Sequence, residues 1–334
     1  MQIPEDKYQV VIIGGGPIGI ACALEAEKNG LSYVILEKGC LVNSLYHYPT
    51  NMTFFSTSEK LELDNIPFIS NNPKPRKREA LEYYRRIATS NKVNIHLFEK
   101  VTAVKSKPDG SHLVQTTKGE YQTNYVVVAT GFYDIPNYLG IPGEKLPKVS
   151  HYYNDPHYYA TQKTIVVGAS NSAVDAALEI YRKGGEVTMI VRKPEIGERV
   201  KYWVRPDIVN RIEEGSIKAY FNASLKEIKE TEVVLDTSEG EKIIENDFVL
   251  LLTGYRPNFG FLQDIGIELS NDGKKIPFYN DKTMETNVPG IFLAGVICGG
   301  VETHKWFIEN SRVHASMIME EIVEKKKDLI SVEN

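Results

Sequence analysis

The sequence predicts an α/β protein with two Rossmann-like dinucleotide-binding domains, each built in three layers. Three observations support this prediction: an internal repeat, a turn of small residues in each copy, and apolar strands on both sides of each turn. The chain has 334 residues, of which 42% are hydrophobic and 25% charged. That length and composition are typical of about two globular domains with packed cores.

The repeat aligns two segments, YQVVIIGGGPIGIACALEAEKNGLSYVILEK and KTIVVGASNSAVDAALEIYRKGGEVTMIVRK. Gly14 aligns with Gly168, and Gly19 aligns with Ala173. Each copy contains an apolar strand, a turn of small residues, a helix, a glycine stop and a second apolar strand. This order is a βαβ unit, and two such units predict two dinucleotide-binding domains.

The segments after each copy predict how the domains are connected. A strand pair followed by a buried strand that ends in Thr-Gly is predicted in each of two segments, HLVQTTKGEYQTNYVVVATG and EVVLDTSEGEKIIENDFVLLLTG. The strand pairs turn at Gly119 and at Gly240. METNVPGIFLAGVICGG adds a last apolar strand, and a final helix is expected from about Lys305. We therefore expect residues 1–145 and 255–334 to form one domain, with residues 146–254 inserted as the other.

The first turn has the glycine pattern of a dinucleotide cradle. Gly14, Gly16 and Gly19 follow a strand and open a helix, which permits a tight turn and a close approach of a pyrophosphate. Glu37 ends the second strand, where a carboxylate can accept hydrogen bonds from both hydroxyls of a ribose. A dinucleotide with an unmodified ribose, such as FAD, is therefore expected in this domain.

The second turn keeps Gly168 but has Ser170 and Ser172, whose hydroxyls can donate to phosphate. Where the first copy has Glu37, the second has a valine followed by Arg192 and Lys193. Two cations attract a 2′-phosphate that a carboxylate would repel, so this domain is expected to prefer NADPH. The alternative is that the two cations are only solvated charges at a strand end.

The bulk properties exclude several classes of function. A formal net charge of −5 gives no overall attraction to nucleic acid or to an anionic membrane. The polar first residues predict no signal peptide, and the longest apolar runs are far shorter than the roughly 20 residues of a membrane span. The three cysteines, Cys22, Cys40 and Cys298, form no CxxC pair and no metal-ligand spacing, which favours a reducing, cytoplasmic location.

At this level of detail the chain resembles a known group of flavoproteins. The domain order is similar to that of low-molecular-weight thioredoxin reductases, and the closer resemblance is to bacillithiol disulfide reductases. It extends over nearly the whole chain and is strongest in IIGGGPIG, NSLYHYPTNMTFFSTSEKLEL, SHYYNDPHYY, GASNSAVDAAL, GIFLAGV and WFIEN. The resemblance implies an NADPH-dependent FAD oxidoreductase that acts as a homodimer.

The resemblance also implies which residues bind the two cofactors. Those expected at FAD are Gly14, Gly16, Pro17, Gly19, Glu37, Lys38, Ser44, Leu45, His47, Val101, Thr130, Gly131, Gly295, Val296, Lys305, Trp306 and Phe307. Those expected at NADPH are Gly168, Ser170, Asn171, Ser172, Arg192 and Lys193. Trp306 and Phe307 could also be core aromatic residues.

Three departures from these families bear on the chemistry. The two positions of the thioredoxin reductase CxxC are occupied by His151 and Asn154. Bacillithiol disulfide reductases of the best-known bacterial group have a cysteine in the first glycine loop, where this chain has Ile18. Val296 replaces the aspartate that contacts the ribityl chain in thioredoxin reductases, a feature shared with bacillithiol disulfide reductases. Both thiol relays are thus missing.

The remaining candidates for chemistry lie near these departures. His151 could act at the reactive face of the flavin and donate a proton to a leaving thiolate, or it could only bond to neighbouring backbone. Tyr152 and Tyr153 could stack near the flavin or could be packing residues, and His157, Tyr158 and Tyr159 suggest packing at a domain interface. Cys22 and Cys40 are interpreted as structural, and Cys298 could also approach the flavin.

A basic segment, KPRKREALEYYRR, places Arg76, Lys77, Arg78, Arg85 and Arg86 around the start of a predicted helix. Cations there oppose the helix dipole, so they could attract an anionic substrate or a protein partner, or they could be a solvated helix face.

The sequence therefore predicts electron transfer from NADPH through flavin directly to an acceptor, for which the resemblance implies a small disulfide of the bacillithiol type. Three alternatives remain open: a reductase of ferredoxin or flavodoxin, a flavin monooxygenase suggested by PKVSHYYNDP, and a redox sensor that turns over slowly.

Overall fold

The structure is a computed structural model that describes residues 6–332. The chain divides into two compact units. The first contains residues 6–47, 52–135 and 255–332, and the second contains residues 48–51 and 136–254. The longer segment of the second unit begins at Pro136, whereas the sequence-based domain boundary lies between residues 145 and 146.

The strands are β1 (Asp6–Ile13), β2 (Tyr33–Leu36), β3 (Ile95–His96), β4 (Val101–Ser106), β5 (His112–Thr116), β6 (Glu120–Val128), β7 (Ile135–Pro136), β8 (Val149–Ser150), β9 (Lys163–Val167), β10 (Glu186–Val191), β11 (Lys218–Phe221), β12 (Ser224–Ile228), β13 (Glu232–Thr237), β14 (Gly240–Glu245), β15 (Phe248–Leu251), β16 (Tyr255–Arg256) and β17 (Ile291–Leu293). The helices are α1 (Pro17–Lys28), α2 (Asn43–Tyr46), α3 (Lys77–Ser90), α4 (Asn171–Arg182), α5 (Arg205–Glu213), α6 (Phe259–Asp264), α7 (Ile308–Ser311) and α8 (His314–Val332).

The first unit is built on a seven-stranded sheet in the order β3-β2-β1-β6-β5-β4, with β17 pairing with β6. β1 pairs in parallel with β2 and with β6, and β17 continues the parallel part of the sheet along β6. Parallel strands covered on both faces are apolar throughout, and β2 is accordingly buried at all four positions. This sheet brings the ends of β1, β2, β6 and β17 to one edge.

The second unit has the three layers that the repeat predicts. Its parallel sheet, in the order β11-β10-β9-β15-β8, has helices on one face and the antiparallel sheet β12-β13-β14 on the other. Val166 of β9 packs among residues of α4, whereas its neighbours Ile165 and Val167 pack against residues of β12 and β13. Alternate side chains of a strand point to opposite faces, so one apolar strand serves both cores.

Two details differ from the sequence prediction. The sequence predicts three strands before Gly131, namely a strand pair and a buried strand. The structure has two, because β6 runs without a break from Glu120 to Val128 and takes the place of the last two. The final helix does not begin at about Lys305, since α7 begins at Ile308 and α8 at His314. The side-chain oxygen of Asn310 accepts the Phe307 N–H at 2.6 Å, and this cap fixes the first residue of α7.

Candidate functional site

The first glycine turn has the backbone geometry of a phosphate cradle. Gly14 has φ +111°, and a Cβ there would lie 2.5 Å from the carbonyl oxygen of Ala129. A Cβ on Gly19 would lie 1.9 Å from the carbonyl oxygen of Gly14, so the turn and helix α1 can meet only without side chains. A Cβ on Gly16 would meet nothing within 4 Å. The space in front of Gly16, at the first turn of a 12-residue helix, fits a pyrophosphate.

Glu37 lies beside this turn, at the end of β2. One carboxylate oxygen accepts the Gly15 N–H at 2.7 Å, and the other accepts the Gly39 N–H at 2.9 Å. The side chain is buried, and burial raises its pKa above the usual 4.5 despite these two bonds. Each oxygen can still accept a hydrogen bond from a ribose hydroxyl. The neighbouring Lys38 forms an ion pair with Asp134 at 2.6 Å.

One buried polar atom of the predicted FAD site, Oγ1 of Thr130, has no hydrogen-bond partner among the described residues. Buried polar groups without a partner are costly, so this atom is a natural contact for a bound ligand. The indole nitrogen of Trp306 is buried as well, with the Tyr279 hydroxyl close to it. Phe307 is 52% exposed, which contradicts the reading of this residue as part of the core.

The other residues expected at FAD lie on several elements of the first unit. Ser44 and Leu45 are in helix α2, His47 ends it, and Val101 begins β4. Gly131 has φ +70°, and Gly295 has φ +87° just after β17. Pro17 is the first residue of α1, and Lys305 lies over the Trp306 ring at 5.6 Å. Which of them contact the cofactor stays a prediction.

The second turn repeats this geometry in the second unit. Gly168 has φ +132°, and a Cβ there would lie 2.6 Å from the carbonyl oxygen of Leu252 and 3.1 Å from the Cβ of Ala173. Ser170 is the residue before helix α4, yet its side chain makes no capping hydrogen bond. The Ser170 hydroxyl is therefore available to a ligand at the start of this helix.

A loop that the sequence did not single out is fastened to the start of α4. The Asn171 side chain accepts the Lys201 N–H at 2.8 Å and donates to the Arg199 carbonyl at 3.2 Å. The Lys201 ammonium forms an ion pair with Asp175 at 2.6 Å, and these side chains are only 9% and 19% exposed. Each polar atom of Asn171 thus makes one hydrogen bond to the loop, which fixes the direction of its side chain, and each can make one more.

Three cations are candidates for contact with a 2′-phosphate at this cradle. Arg192 and Lys193 follow β10, and Arg199 lies in the fastened loop. All three are exposed, and none of them forms an ion pair within residues 7–327. The predicted 2′-phosphate contact at Arg192 and Lys193 is therefore free of competition from nearby carboxylates. The sequence alone does not indicate Arg199, because it is brought to the cradle by a contact with Asn171, which lies 28 residues earlier in the chain.

The residues at the two positions of the absent CxxC, His151 and Asn154, each contact another residue of the second unit. Nε2 of His151 lies 3.5 Å from the Glu144 carboxylate, and both side chains are largely buried. Burial lowers the pKa of His151, although Glu144 opposes this effect. The carbonyl oxygen of Asn154 accepts the Thr50 N–H at 2.8 Å. A catalytic role for His151 stays a prediction, since its contacts here are those of a residue that holds the segment in place.

The tyrosines of this segment differ in their environments. Tyr153 is 1% exposed, and its hydroxyl donates to Glu179 at 2.6 Å. Tyr159 is buried in the same core and contacts Phe248. The interpretation of Tyr159 as domain-interface packing is wrong, because it packs within the second unit's own core. Tyr158 is 69% exposed, and its ring also contacts Phe248.

All three cysteines are free thiols whose protonated form is favoured. Cys22 and Cys298 are fully buried, and desolvation raises their pKa values, to about 12 for Cys22. Burial also raises the pKa of the partly buried Cys40. A thiolate is the reactive form, so none of these residues has the environment of a redox-active cysteine.

The basic segment forms a surface beside helix α2. The Phe54 N–H donates to the Pro75 carbonyl at 2.9 Å, and the Lys77 N–H donates to the Met52 carbonyl at 2.9 Å. This pairing brings together two exposed aromatic rings, three exposed or partly exposed cations and the buried Lys77. We call this region the basic–aromatic surface: Tyr46, Phe55, Lys74, Arg76, Lys77 and Arg78. Arg85 and Arg86 are instead paired with Glu82 on the helix.

Two further searches gave negative results for the described part of the chain. No group of three or more histidine, cysteine or carboxylate side chains there is arranged to hold a metal ion. Within the same residues, every helix is too short or too polar to cross a membrane.

Comparison with known proteins places these features in a family. The family model for pyridine nucleotide-disulphide oxidoreductases matches residues 11–295. The chain is 43% identical over 321 residues to the bacilliredoxin reductase Bdr of Bacillus subtilis (strain 168), covering 96% of this chain and 99% of that protein. Solved structures of the bacillithiol disulfide reductase Bdr from Bacillus cereus and Staphylococcus aureus are 41% and 38% identical. Both superpose with a TM-score of 0.93, covering 96% of this chain and 100% and 99% of theirs.

Proposed function

The chain belongs to the pyridine nucleotide-disulphide oxidoreductase family, within its bacillithiol disulfide reductase group, and we propose that it reduces a low-molecular-weight disulfide of the bacillithiol type with NADPH. The protein is thus an oxidoreductase, as the sequence predicts. The observation that carries the proposed substrate is the 41% and 38% identity to two solved bacillithiol disulfide reductases over nearly the whole chain. A cytoplasmic location and a homodimer stay predictions.

The predicted cofactors, FAD and NADPH, are those of this family and are confirmed. The residues present fit them: a glycine cradle with open space at Gly16 and a diol acceptor at Glu37 in the first unit. In the second unit, the Ser170 hydroxyl and the exposed cations Arg192 and Lys193 support the preference for a 2′-phosphate. When bound, FAD supplies the redox group that takes two electrons from NADPH and passes them on.

The proposed route to the substrate includes no protein dithiol. The chain has no CxxC, the glycine-loop position is Ile18, and burial favours the protonated form of all three cysteines. The overall reaction takes one NADPH, one proton and one disulfide to NADP⁺ and two thiols. The proton comes from solvent or from an acid of the chain.

The basic–aromatic surface supports an anionic substrate. A bacillithiol-type disulfide carries carboxylates, and Arg76 and Arg78 are exposed cations that form no ion pair in the described part of the chain. The surface adjoins α2, the helix expected to contact FAD, because Lys77 lies over the Tyr46 ring at 5.7 Å. Carboxylate contacts to guanidinium groups are among the stronger polar interactions in proteins.

A stopped-flow experiment tests the proposal. Flavin absorbance is followed anaerobically, first on addition of one equivalent of NADPH and then on addition of bacillithiol disulfide. We expect bleaching in the first step and reoxidation in the second, both within seconds, with two thiols released per flavin. Glutathione disulfide, cystine, ferredoxin and flavodoxin are tested in parallel.

Reduced flavin that persists with every small disulfide would contradict the proposed substrate. Rapid reoxidation by ferredoxin or flavodoxin alone would instead identify an electron-transfer reductase. A flavin that NADPH does not bleach would contradict the enzymatic function itself.

A further inference from the structure

We propose that His314 is a positioning residue for the flavin site: its ring nitrogen holds the Gly295 turn in the conformation that presents its backbone to FAD. The inference rests on the proposed function only in requiring that FAD binds in the first unit. His314 lies at the start of α8, and no motif in the sequence marks it as functional.

The geometry ties two residues of the predicted FAD site, and the Cys298 thiol, to this one side chain. Nδ1 of His314 accepts the Gly295 N–H at 3.1 Å, although the two residues are 19 positions apart. The Cys298 thiol lies 3.9 Å from the same nitrogen. The Trp306 ring packs edge-on against the imidazole, with ring centroids 4.7 Å apart. Gly295 and Trp306 are both expected at FAD, so His314 lies directly behind two cofactor contacts.

The charge state of His314 is suited to this task. Its side chain is 2% exposed, and burial lowers its pKa to about 4. The ring is therefore neutral near pH 7, and because Nδ1 accepts a hydrogen bond, the proton is on Nε2. The Cys298 thiol is held in its protonated form by burial, so the cluster carries no charge.

The Gly295 turn needs such an anchor. Its φ of +87° and ψ of −155° lie in a region that residues other than glycine rarely adopt. The aspartate that thioredoxin reductases have after this glycine is replaced by Val296, so the turn offers FAD only backbone groups. Backbone groups bind a ligand well only when their direction is fixed in advance, and the acceptor at His314 fixes it.

The experiment compares His314 with His112, a second buried histidine of the same unit. His112 is 1% exposed, has its pKa lowered by burial, and has Nδ1 at 3.1 Å from the Ser106 hydroxyl, but it contacts no residue expected at FAD. The variants are His314→Leu, which removes the acceptor, His314→Asn, which places an oxygen where Nδ1 was, and His112→Leu. For each, apoprotein is titrated with FAD, and the visible circular dichroism of the bound flavin and the melting temperature of the apoprotein are recorded.

We expect His314→Leu to raise the Kd for FAD about tenfold and to change the flavin dichroism, because the Gly295 N–H loses its acceptor. His314→Asn should restore both to near the wild-type values. His112→Leu should lower the melting temperature but leave the Kd and the spectrum unchanged.

Equal effects of His314→Leu and His112→Leu on the Kd, or no rescue by asparagine, would overturn the proposal and leave His314 as a packing residue. If His314→Leu does not fold, His314→Asn and His314→Gln decide the question, since glutamine places its oxygen beyond the Nδ1 position. Weaker FAD binding by the glutamine variant alone supports the proposal. Equal FAD binding by the two variants refutes it. These titrations do not depend on the electron acceptor. A failure to reduce disulfides would therefore be seen separately.

Discussion

Single carboxylates and thiols account for much of the chemistry that this chain can and cannot perform. Glu37 is buried, yet both of its oxygens accept backbone N–H groups of the first cradle. Cys22 and Cys298 show the opposite case, because burial raises their pKa values and disfavours the reactive thiolate form. The environment of each group, and not its presence in the sequence, decides its role.

The first prediction concerns the pH dependence of FAD binding at Glu37. Its pKa in the folded protein is raised by burial, so the carboxylate becomes protonated at a higher pH than an ordinary glutamate. A protonated carboxyl group loses acceptor capacity, and we expect the Kd for FAD to rise as the pH falls through that raised value. The folding stability of the apoprotein, by contrast, gains from this protonation as the pH falls through the same range.

Glu37→Gln tests this prediction in apoprotein titrations with FAD across pH. The variant should bind FAD at least about tenfold more weakly at pH 7, since a charge-assisted hydrogen bond is worth about 1.5–3 kcal/mol, and its Kd should not vary with pH. Glu285→Gln alters a carboxylate that pairs with Lys325 and serves as the control. An unchanged pH profile in Glu37→Gln would show that another group titrates.

The second prediction is that the cysteines are dispensable. Cys298→Ala removes the thiol beside His314, and Cys40→Ser removes the thiol with the most exposure. Neither thiol carries electrons in the proposed route, so kcat with a small disulfide should stay within about threefold, less than 1 kcal/mol in activation free energy. A loss of reoxidation with retained bleaching by NADPH, measured by stopped flow, would instead assign a thiol relay to the altered residue.

At the scale of elements, each cradle works because a strand, a turn and a helix meet with no side chain larger than a methyl group between them. Gly19 packs directly against Gly14 in the first unit, and Ala173 packs directly against Gly168 in the second. The second unit adds a fastened loop between β10 and α5, with Gly197 donating its N–H to Ala169 at 3.0 Å. That loop carries Arg199 to the start of α4.

The third prediction tests this loop through its buried ion pair. Lys201→Met removes the partner of Asp175, and the double variant with Asp175→Asn also removes the stranded charge. With the loop unfastened, Arg199 is no longer held at the cradle, so we expect the KM for NADPH to rise about tenfold with kcat nearly unchanged. The control is Lys218→Met, which breaks an exposed pair with Glu186 in the same unit.

Steady-state kinetics with NADPH and with NADH separate the outcomes. The effect should be larger for NADPH, because the loop cation is expected near the 2′-phosphate. A fall in kcat at unchanged KM, or an equal effect of Lys218→Met, would contradict a positioning role for the loop.

The elements also show what the sequence could and could not predict. The two strand–turn–helix units were predictable because apolar periodicity and glycine act within about 30 residues of chain. The start of α7 was not, since it depends on the cap between Phe307 and Asn310. The Lys201–Asp175 pair spans 26 positions and carries no local pattern. Contacts of this kind depend on the folded chain and leave no periodic signal.

At the scale of the whole molecule, the chain is one unit interrupted by another. The ends of the inserted part lie together, because the Asn137 N–H donates to the Gly254 carbonyl at 2.9 Å and the Thr253 hydroxyl donates to the Asn137 carbonyl at 2.7 Å. The second unit has its own parallel sheet and cores on both faces of that sheet. Neighbouring ends and an independent core are the features of a domain that can be inserted or removed.

The fourth prediction is that residues 136–254 fold alone and bind the adenosine end of NADPH. Excision removes residues 48–51, whose bonds include Thr50 N–H to the Asn154 carbonyl and the Asn51 amide to Glu179, at about 1 kcal/mol each. That loss is small beside the apolar burial of two cores, so we expect a cooperative thermal transition by circular dichroism.

Calorimetry should show binding of 2′,5′-ADP and at least about tenfold weaker binding of 5′-AMP, since the 2′-phosphate meets Arg192 and Lys193. A fragment that folds but binds both nucleotides equally would contradict the assigned phosphate site, whereas one without a cooperative transition would show that the first unit is needed to complete the second.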